Sequence, residues 1–376
     1  MKRAAIITRQ VSKTTGAARN TLEQVNYLIG KGYRVDVIGE YVNKSLVRKN
    51  SAAAFQYRGW PLKGYWRRRL FAWRAERKIA NEQYDLVFGH GDIINQDVLF
   101  LHNCVHLAHE LIHSSVISEK DIMGRLHGSL LTQQKFRLLV ANSNLMAEDV
   151  VKRFCIPEEK VEVIYPGYAS EQFNLLNHDL YRKKIRHELN ISEDVTLVGL
   201  ITSGNFKKRN VSLFIDSVSQ LPKNIINKCF FIVVGKTKIS EKEKYIIQIN
   251  SSNLKNNFKI LPPTSDIKEF YHALDVQVLP AIWEEFGRVV LESMACGLPV
   301  VVSDKVGASE ILPQVNKEFV FNVDNKRALT QHLVTLINAP ERRKIIGDIN
   351  SSEALNYSAQ NQAEKLDHLL KEHSII

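Results

Sequence analysis

The segment from Asp275 to Ser303 constrains the fold more tightly than any other. An apolar run, Asp275-Val-Gln-Val-Leu279, ends at Pro280 and has the length of a buried strand rather than a helix. A loop with two carboxylates, Glu284 and Glu285, follows it. Gly287 then opens a helical pattern in which Val289, Val290, Leu291, Met294 and Ala295 share one broad face. Cys296-Gly297-Leu298-Pro299 stops that helix, with glycine at the cap and proline just beyond. Val300-Val-Val-Ser303 reads as the next buried strand. A strand–loop–helix–strand order of this length predicts a parallel α/β sheet, with the helix N-terminus at the carboxyl end of a strand. Unpaired N–H groups and the helix dipole favour an anionic ligand there.

The same alternation recurs along the chain. Ala4–Thr8 predicts a first strand. A turn containing Gly16 and Arg19 follows, then a helix with Leu22, Val25, Leu28 and Ile29 inward, and a strand at Tyr33–Gly39. G-x-G-x-x-G is absent from that turn, so it is not a dinucleotide fingerprint. Val195–Thr202, Cys229–Gly235 and Phe258–Pro262 predict three more strands. Between the first two lies a Gly-bearing basic turn, Ser203-Gly-Asn-Phe-Lys-Lys-Arg-Asn210, suited to a pyrophosphate. A chain of 376 residues carrying two such sets predicts two domains. We place the first at 1–172, a polar linker at 173–190, and the second at 191–350. A last helix at 355–371 is expected to pack back on the first domain.

Composition narrows the class. With 44% hydrophobic and 24% charged residues and no low-complexity tract, the chain reads as globular. No apolar run reaches the roughly 18 residues of a membrane span, and the apolar stretch after Met1 is too short for a signal peptide. Four scattered cysteines read as reduced thiols, which predicts a cytoplasmic protein. The net charge of +11 implies an anionic partner. Residues 55–78 concentrate that charge among aromatics: Trp60, Trp66 and Trp73 interleave with Arg67, Arg68 and Arg69. One reading is a helix with aromatics packed inward and solvated arginines. The other is a surface for anionic lipid or acceptor, with the protein peripheral on the cytoplasmic face of the inner membrane. Nucleic acid is not expected, because no RNA-binding motif accompanies the segment.

Glu284-x-Phe-Gly-x-Val-Val-Leu-Glu292-x-Met-Ala-x-Gly-x-Pro-Val-Val resembles the E-x7-E signature of retaining glycosyltransferases of family 4. That resemblance implies a GT-B fold, two Rossmann-like domains facing across a cleft, and transfer of a sugar from a nucleotide-sugar. The eight residues from Glu284 to Glu292 correspond to about 12 Å at the helical rise, near the span from sugar to ribose in such a donor. By the resemblance, Glu284 holds hydroxyls of the transferred sugar and Glu292 the ribose. The backbone around Phe286, Gly287 and Val289 holds phosphate with Gly16, Gly204, Lys208 and Arg209. The base lies near Leu261. His102 approaches the transferred sugar, with His90 as the other candidate. The nucleotide-sugar, a UDP-hexose, is a substrate; no cofactor and no metal are implied. The acceptor would be a glycan or glycolipid such as a lipopolysaccharide core intermediate.

Two other enzyme readings compete. His109-Glu110-Leu-Ile-His113 is a literal His-Glu-x-x-His, which on a helix would set two imidazoles one turn apart beside a general base, as in a zinc-dependent hydrolase. No third ligand follows at the usual spacing. A nucleotide-sugar epimerase on the same fold is the other, and the E-x7-E signature argues against it.

Overall fold

The computed structural model describes residues 1–11, 16–58 and 61–376. Two compact units divide the chain. Met1–Pro166 and Ala359–Ile376 form the first, and Gly167–Ser358 form the second.

The first unit is built on a seven-stranded parallel sheet. Its order is Ala53–Gln56, Arg34–Gly39, Arg3–Ile7, Leu86–Gly89, Val98–Phe100, Leu138–Ala141 and Val161–Val163. The order reverses between Arg3–Ile7 and Leu86–Gly89, so the carboxyl ends of those strands flank a switch point. Apart from Arg3, the strands Arg3–Ile7, Leu86–Gly89, Val98–Phe100 and Leu138–Ala141 are apolar and buried, as parallel strands covered on both faces must be. Helix Gly16–Gly30 sends Val25 and Leu28 into this core. Helix Ala359–Glu372 adds Leu366 and Leu370 to the same cluster. It is anchored by Tyr27 donating to Asp367 (3.0 Å) and by the Lys31–Asp367 ion pair (2.7 Å).

The second unit repeats the plan with six parallel strands: Phe258–Leu261, Cys229–Val234, Thr196–Ile201, Val276–Leu279, Val300–Ser303 and Val320–Phe321. Here the order reverses between Thr196–Ile201 and Val276–Leu279. Their carboxyl ends lead directly into the basic turn and the acidic loop. The stretch expected to be a linker at 173–190 is not one. Helix His178–Leu189 occupies most of it and belongs to the second unit. Arg186 on this helix is buried and donates to the carbonyl of Ala273 (3.1 Å), while Lys184 pairs with Glu269. A polar composition marked it as linker because its charges are satisfied by tertiary partners that a local reading does not see. The final helix begins at Ala359, four residues later than expected.

Candidate active site

The site of the second unit is assembled from two loops that leave adjacent strands at the switch point. The acidic loop leaves Val276–Leu279 and is fixed on both sides by backbone hydrogen bonds. Ile282 N–H donates to the Lys208 carbonyl (2.9 Å), tying it to the basic turn. Glu284 N–H donates to the Lys305 carbonyl (2.9 Å), and the N–H groups of Gly307 and Ala308 donate to the carbonyls of Glu284 and Phe286. The Ser303 hydroxyl donates to the Ala281 carbonyl (2.6 Å). Phe286 and Trp283 are buried beneath the loop.

Gly287 stands at the N-cap of helix Arg288–Ala295 with φ +93°. A β-carbon there would come within 3.2 Å of Glu284, Leu279 and Val306 side-chain atoms, so both backbone and space require glycine. The N-cap residue, being glycine, has no side chain of its own with which to cap this helix. Val289, in its first turn, has no carbonyl four residues earlier in helical geometry to receive its N–H. Because the helix starts only at Arg288, the interval from Glu284 to Glu292 is part loop. The 12 Å helical estimate therefore does not apply. In the basic turn, Gly204 has φ +145°, and a β-carbon would meet the Lys236 carbonyl oxygen at 2.8 Å.

The carboxylates are already engaged. Arg209 forms an ion pair with Glu284, and Lys208 Nζ donates to Glu285 Oε2 (2.5 Å). Burial lifts the Glu284 pKa above its ordinary value, while Arg209 pulls the other way. Glu292 is 6% exposed and accepts from the Tyr271 hydroxyl (3.0 Å) on helix Ile267–Ala273. Sequence reading missed Tyr271 and the Glu285 pairing. An aromatic with a polar end in an otherwise apolar helix face is a weak signal for the first, and the adjacent Glu284-Glu285 and Lys208-Arg209 pairs are one for the second. Leu261 ends its strand, and its carbonyl accepts from Gly235 N–H (3.2 Å).

The first unit holds the histidine candidates. His90 follows strand Leu86–Gly89 at the first unit's own switch point. Its Nδ1 lies 3.0 Å from His102 Nε2, and its Nε2 lies 2.8 Å from Gln24 Oε1. Asn142 Nδ2 lies 3.5 Å from His102 Nδ1. The sequence candidates His90 and His102 are thus hydrogen-bonded to each other. Burial pushes His90 well below the usual imidazole range. Gly16 is the first residue of helix Gly16–Gly30.

The His-Glu-x-x-His pattern lies on helix Val105–His113, none of whose residues is buried. Its imidazole centroids are 4.7 Å apart. The Glu110 carboxylate is clamped by two hydrogen bonds from Arg153 (2.7 and 2.8 Å). Among the described residues no group of three or more His, Cys, Asp or Glu gathers in a metal-binding arrangement.

Residues 55–78 divide between the two sequence readings. Strand Ala53–Gln56 takes the start, and helix Gly64–Glu82 takes positions 64–78. Phe71 packs inward, while Trp66 and Trp73 are 68% and 54% exposed. Arg67 is paired with Glu40. Arg68 and Arg69 line an open pocket. Trp60 lies outside the described residues. No helix among them is long and apolar enough to cross a membrane.

Comparison with known proteins adds an independent line. The model described as "Glycosyltransferase Family 4" matches residues 14–172, and the one described as "Glycosyl transferases group 1" matches residues 182–352. An Escherichia coli UDP-Gal:alpha-D-GlcNAc-diphosphoundecaprenol alpha-1,3-galactosyltransferase is 25% identical over 61% of this chain. The match spans 55% of that protein, so the chain aligns with about half the length of such curated relatives. Among solved structures, WaaG, a glycosyltransferase involved in lipopolysaccharide biosynthesis, is similar at TM-score 0.78 and 17% identity, covering 96% of this chain and 98% of WaaG. Anabaena Alr3699/HepE in complex with UDP-glucose is similar at TM-score 0.78 and 19% identity, covering 99% and 100%. At these identities the structural likeness shows the fold.

Proposed function

The chain is a family 4 glycosyltransferase of GT-B fold, and from that premise we propose that it transfers a hexosyl group from UDP-hexose to a glycan or glycolipid acceptor, with retention of anomeric configuration. The observation that carries this reading is the pairing of Arg209 with Glu284 and of Lys208 with Glu285 at the switch point of the second unit. Such a site is charge-balanced while empty. A donor diphosphate would draw Lys208 and Arg209 to itself beside the N-terminus of helix Arg288–Ala295. Glu284 would then exchange its arginine for hydroxyls of the sugar. Glu292, oriented by Tyr271, would accept from the ribose hydroxyls. In the transfer step the bond from the anomeric carbon to the phosphate oxygen breaks, and the acceptor oxygen bonds to that carbon on the same face. The acceptor proton passes to the departing phosphate. Lys208 and Arg209 supply the positive charge that the leaving diphosphate needs. His102, with its ring fixed by His90, is assigned to the transferred sugar.

The bound UDP-glucose of the Anabaena relative supports UDP as the nucleotide. The lipopolysaccharide role of WaaG supports a lipopolysaccharide core intermediate as acceptor and a peripheral position on the inner membrane. Calorimetric titration with UDP tests the reading. Saturable binding is expected in the parent, weakened at least tenfold in Arg209→Ala. A parent that binds neither UDP nor any other nucleoside diphosphate would sink it.

A further inference from the structure

The open pocket of the first unit is lined by none of the residues assigned to the donor. It lies as an open depression between helix Gly64–Glu82, the loop at Gly91–Ile94 and helix Ile122–Gln133. Gly91, at φ +87°, lets that loop turn across the pocket. The wall is apolar at Ala72, Ile93, Leu126 and Leu130, and polar where Arg68, Arg69 and His127 reach it.

Its charge is one-sided. Arg68 meets Asp92 only at 4.0 Å, and the Asp92 carboxylate already accepts the Arg9 backbone N–H at 2.8 Å. Behind them, Glu40 pairs with both Arg9 and Arg67. Arg125 lies over the ring of Tyr65, a pocket residue, 4.4 Å from its centroid. Of the side chains that line the pocket, Arg68 and Arg69 are thus the cations and Asp92 the one carboxylate, with Glu76 beside it accepting the Ile94 N–H (2.9 Å). Burial first, and then the like charges of Arg9 and Arg67, press the Arg68 pKa down. Burial raises the Asp92 carboxyl to about 6. An excess of guanidinium groups beside an apolar wall is relieved by an anion that brings its own apolar body. Guanidinium forks match phosphate oxygens two at a time. The rim fits the same ligand: Trp66, Ile122 and Met123 are exposed where these two helices begin.

We propose that this pocket is a phosphate-binding site, in which Arg68 and Arg69 hold the phosphate or diphosphate of an amphiphilic acceptor and the Trp66–Met123 rim holds its apolar part. The site rests on the glycosyltransferase reading for its purpose and not for its existence. Arg67, which sequence grouped with its neighbours, is excluded because Glu40 already holds it.

The test is a titration of inorganic pyrophosphate with the donor site kept saturated by UDP. A second, saturable site is expected in the parent. It should weaken about tenfold or more in Arg68→Gln and in Arg69→Gln. It should persist in Arg77→Gln, which lies on the same helix outside the pocket. Arg69 is exposed, so its variant should fold even if the Arg68 variant does not. Vesicles of phosphatidylglycerol in phosphatidylcholine form the second arm. Co-sedimentation that is lost in both variants and displaced by pyrophosphate would assign the phosphate to a lipid headgroup. Pyrophosphate binding without co-sedimentation would assign it to a free or single-molecule phosphate. A UDP-saturated parent that binds neither probe, or variants that bind both as tightly as the parent, would overturn the proposal. Failure to bind UDP would strike the donor assignment instead and leave the arginine-dependent pyrophosphate signal readable.

Discussion

Two short motifs in this chain each promise catalysis, and each has a glutamate gripped by an arginine. Glu284 pairs with Arg209 in the second unit, and Glu110 with Arg153 in the first. What separates them is the backbone beneath. Glu284 sits in a loop pinned by neighbours on both sides, at the carboxyl ends of strands, ahead of a helix whose N-cap is glycine. Glu110 sits on a surface helix with no buried residue, and its carboxylate and Arg153 are 29% and 26% exposed. The first pair stands where the proposed donor would meet it and exchange its partners. The second is a brace between two helices, Val105–His113 and Asn144–Phe154. A motif carries chemistry only where the main chain gives its side chains something to act upon.

The comparison breaks most visibly at Glu284. Glu284→Ala is expected to lower sugar transfer about a hundredfold or more while leaving UDP binding intact, measured by transfer kinetics beside calorimetry. Parent-like transfer would remove the distinction between the two motifs. Glu292→Ala should weaken UDP and the intact donor alike, roughly ten- to a hundredfold. Tyr271→Phe, which removes only the orienting hydroxyl, should weaken UDP about fivefold. If Tyr271→Phe matched Glu292→Ala in effect, Glu292 would be acting through its tyrosine and not on a ligand.

Acidity sharpens the contrast. Burial raises the Glu284 pKa, so its carboxylate is lost, as pH falls, sooner than that of an ordinary glutamate. Arg209 opposes that rise. Arg209→Gln should therefore move the acid limb of the kcat/KM profile to higher pH, and a limb that stayed put or moved down would detach it from Glu284. The smallest effect is expected at Glu110. Glu110→Gln should leave transfer within twofold and cost about 1 kcal/mol of stability or less by thermal unfolding, because the pair is partly solvated. Loss of activity there, restored by zinc, would reverse the ranking of the motifs.

Much of this was legible in the letters. Continuous apolar runs such as Val300–Ser303 and Cys229–Val234 could only be strands buried on both faces. Gly287 and Gly297 announced positive φ at the two ends of one helix. The pairings were not legible, because they are made across the chain: Lys208 and Glu285 stand 77 residues apart, and Arg153 reaches back 43 residues to Glu110. The short strand Ala53–Gln56 was hidden because its letters merge with the aromatic and basic run that follows. Helix His178–Leu189 was hidden for the opposite reason, since its burial rests on Arg186, a residue that composition assigns to the surface.

The return of helix Ala359–Glu372 to the first unit has a consequence for synthesis. The second unit is one uninterrupted stretch, Gly167–Ser358, and has all its strands once that stretch has left the ribosome. The first unit emerges earlier but must wait, through the translation of nearly two hundred further residues, for Leu366 and Leu370 to cover its sheet. During that interval the groove beside Val25 and Leu28 is bare and adhesive. The part of the chain made first is therefore the part finished last, and its uncovered apolar surface is where premature association is expected during synthesis.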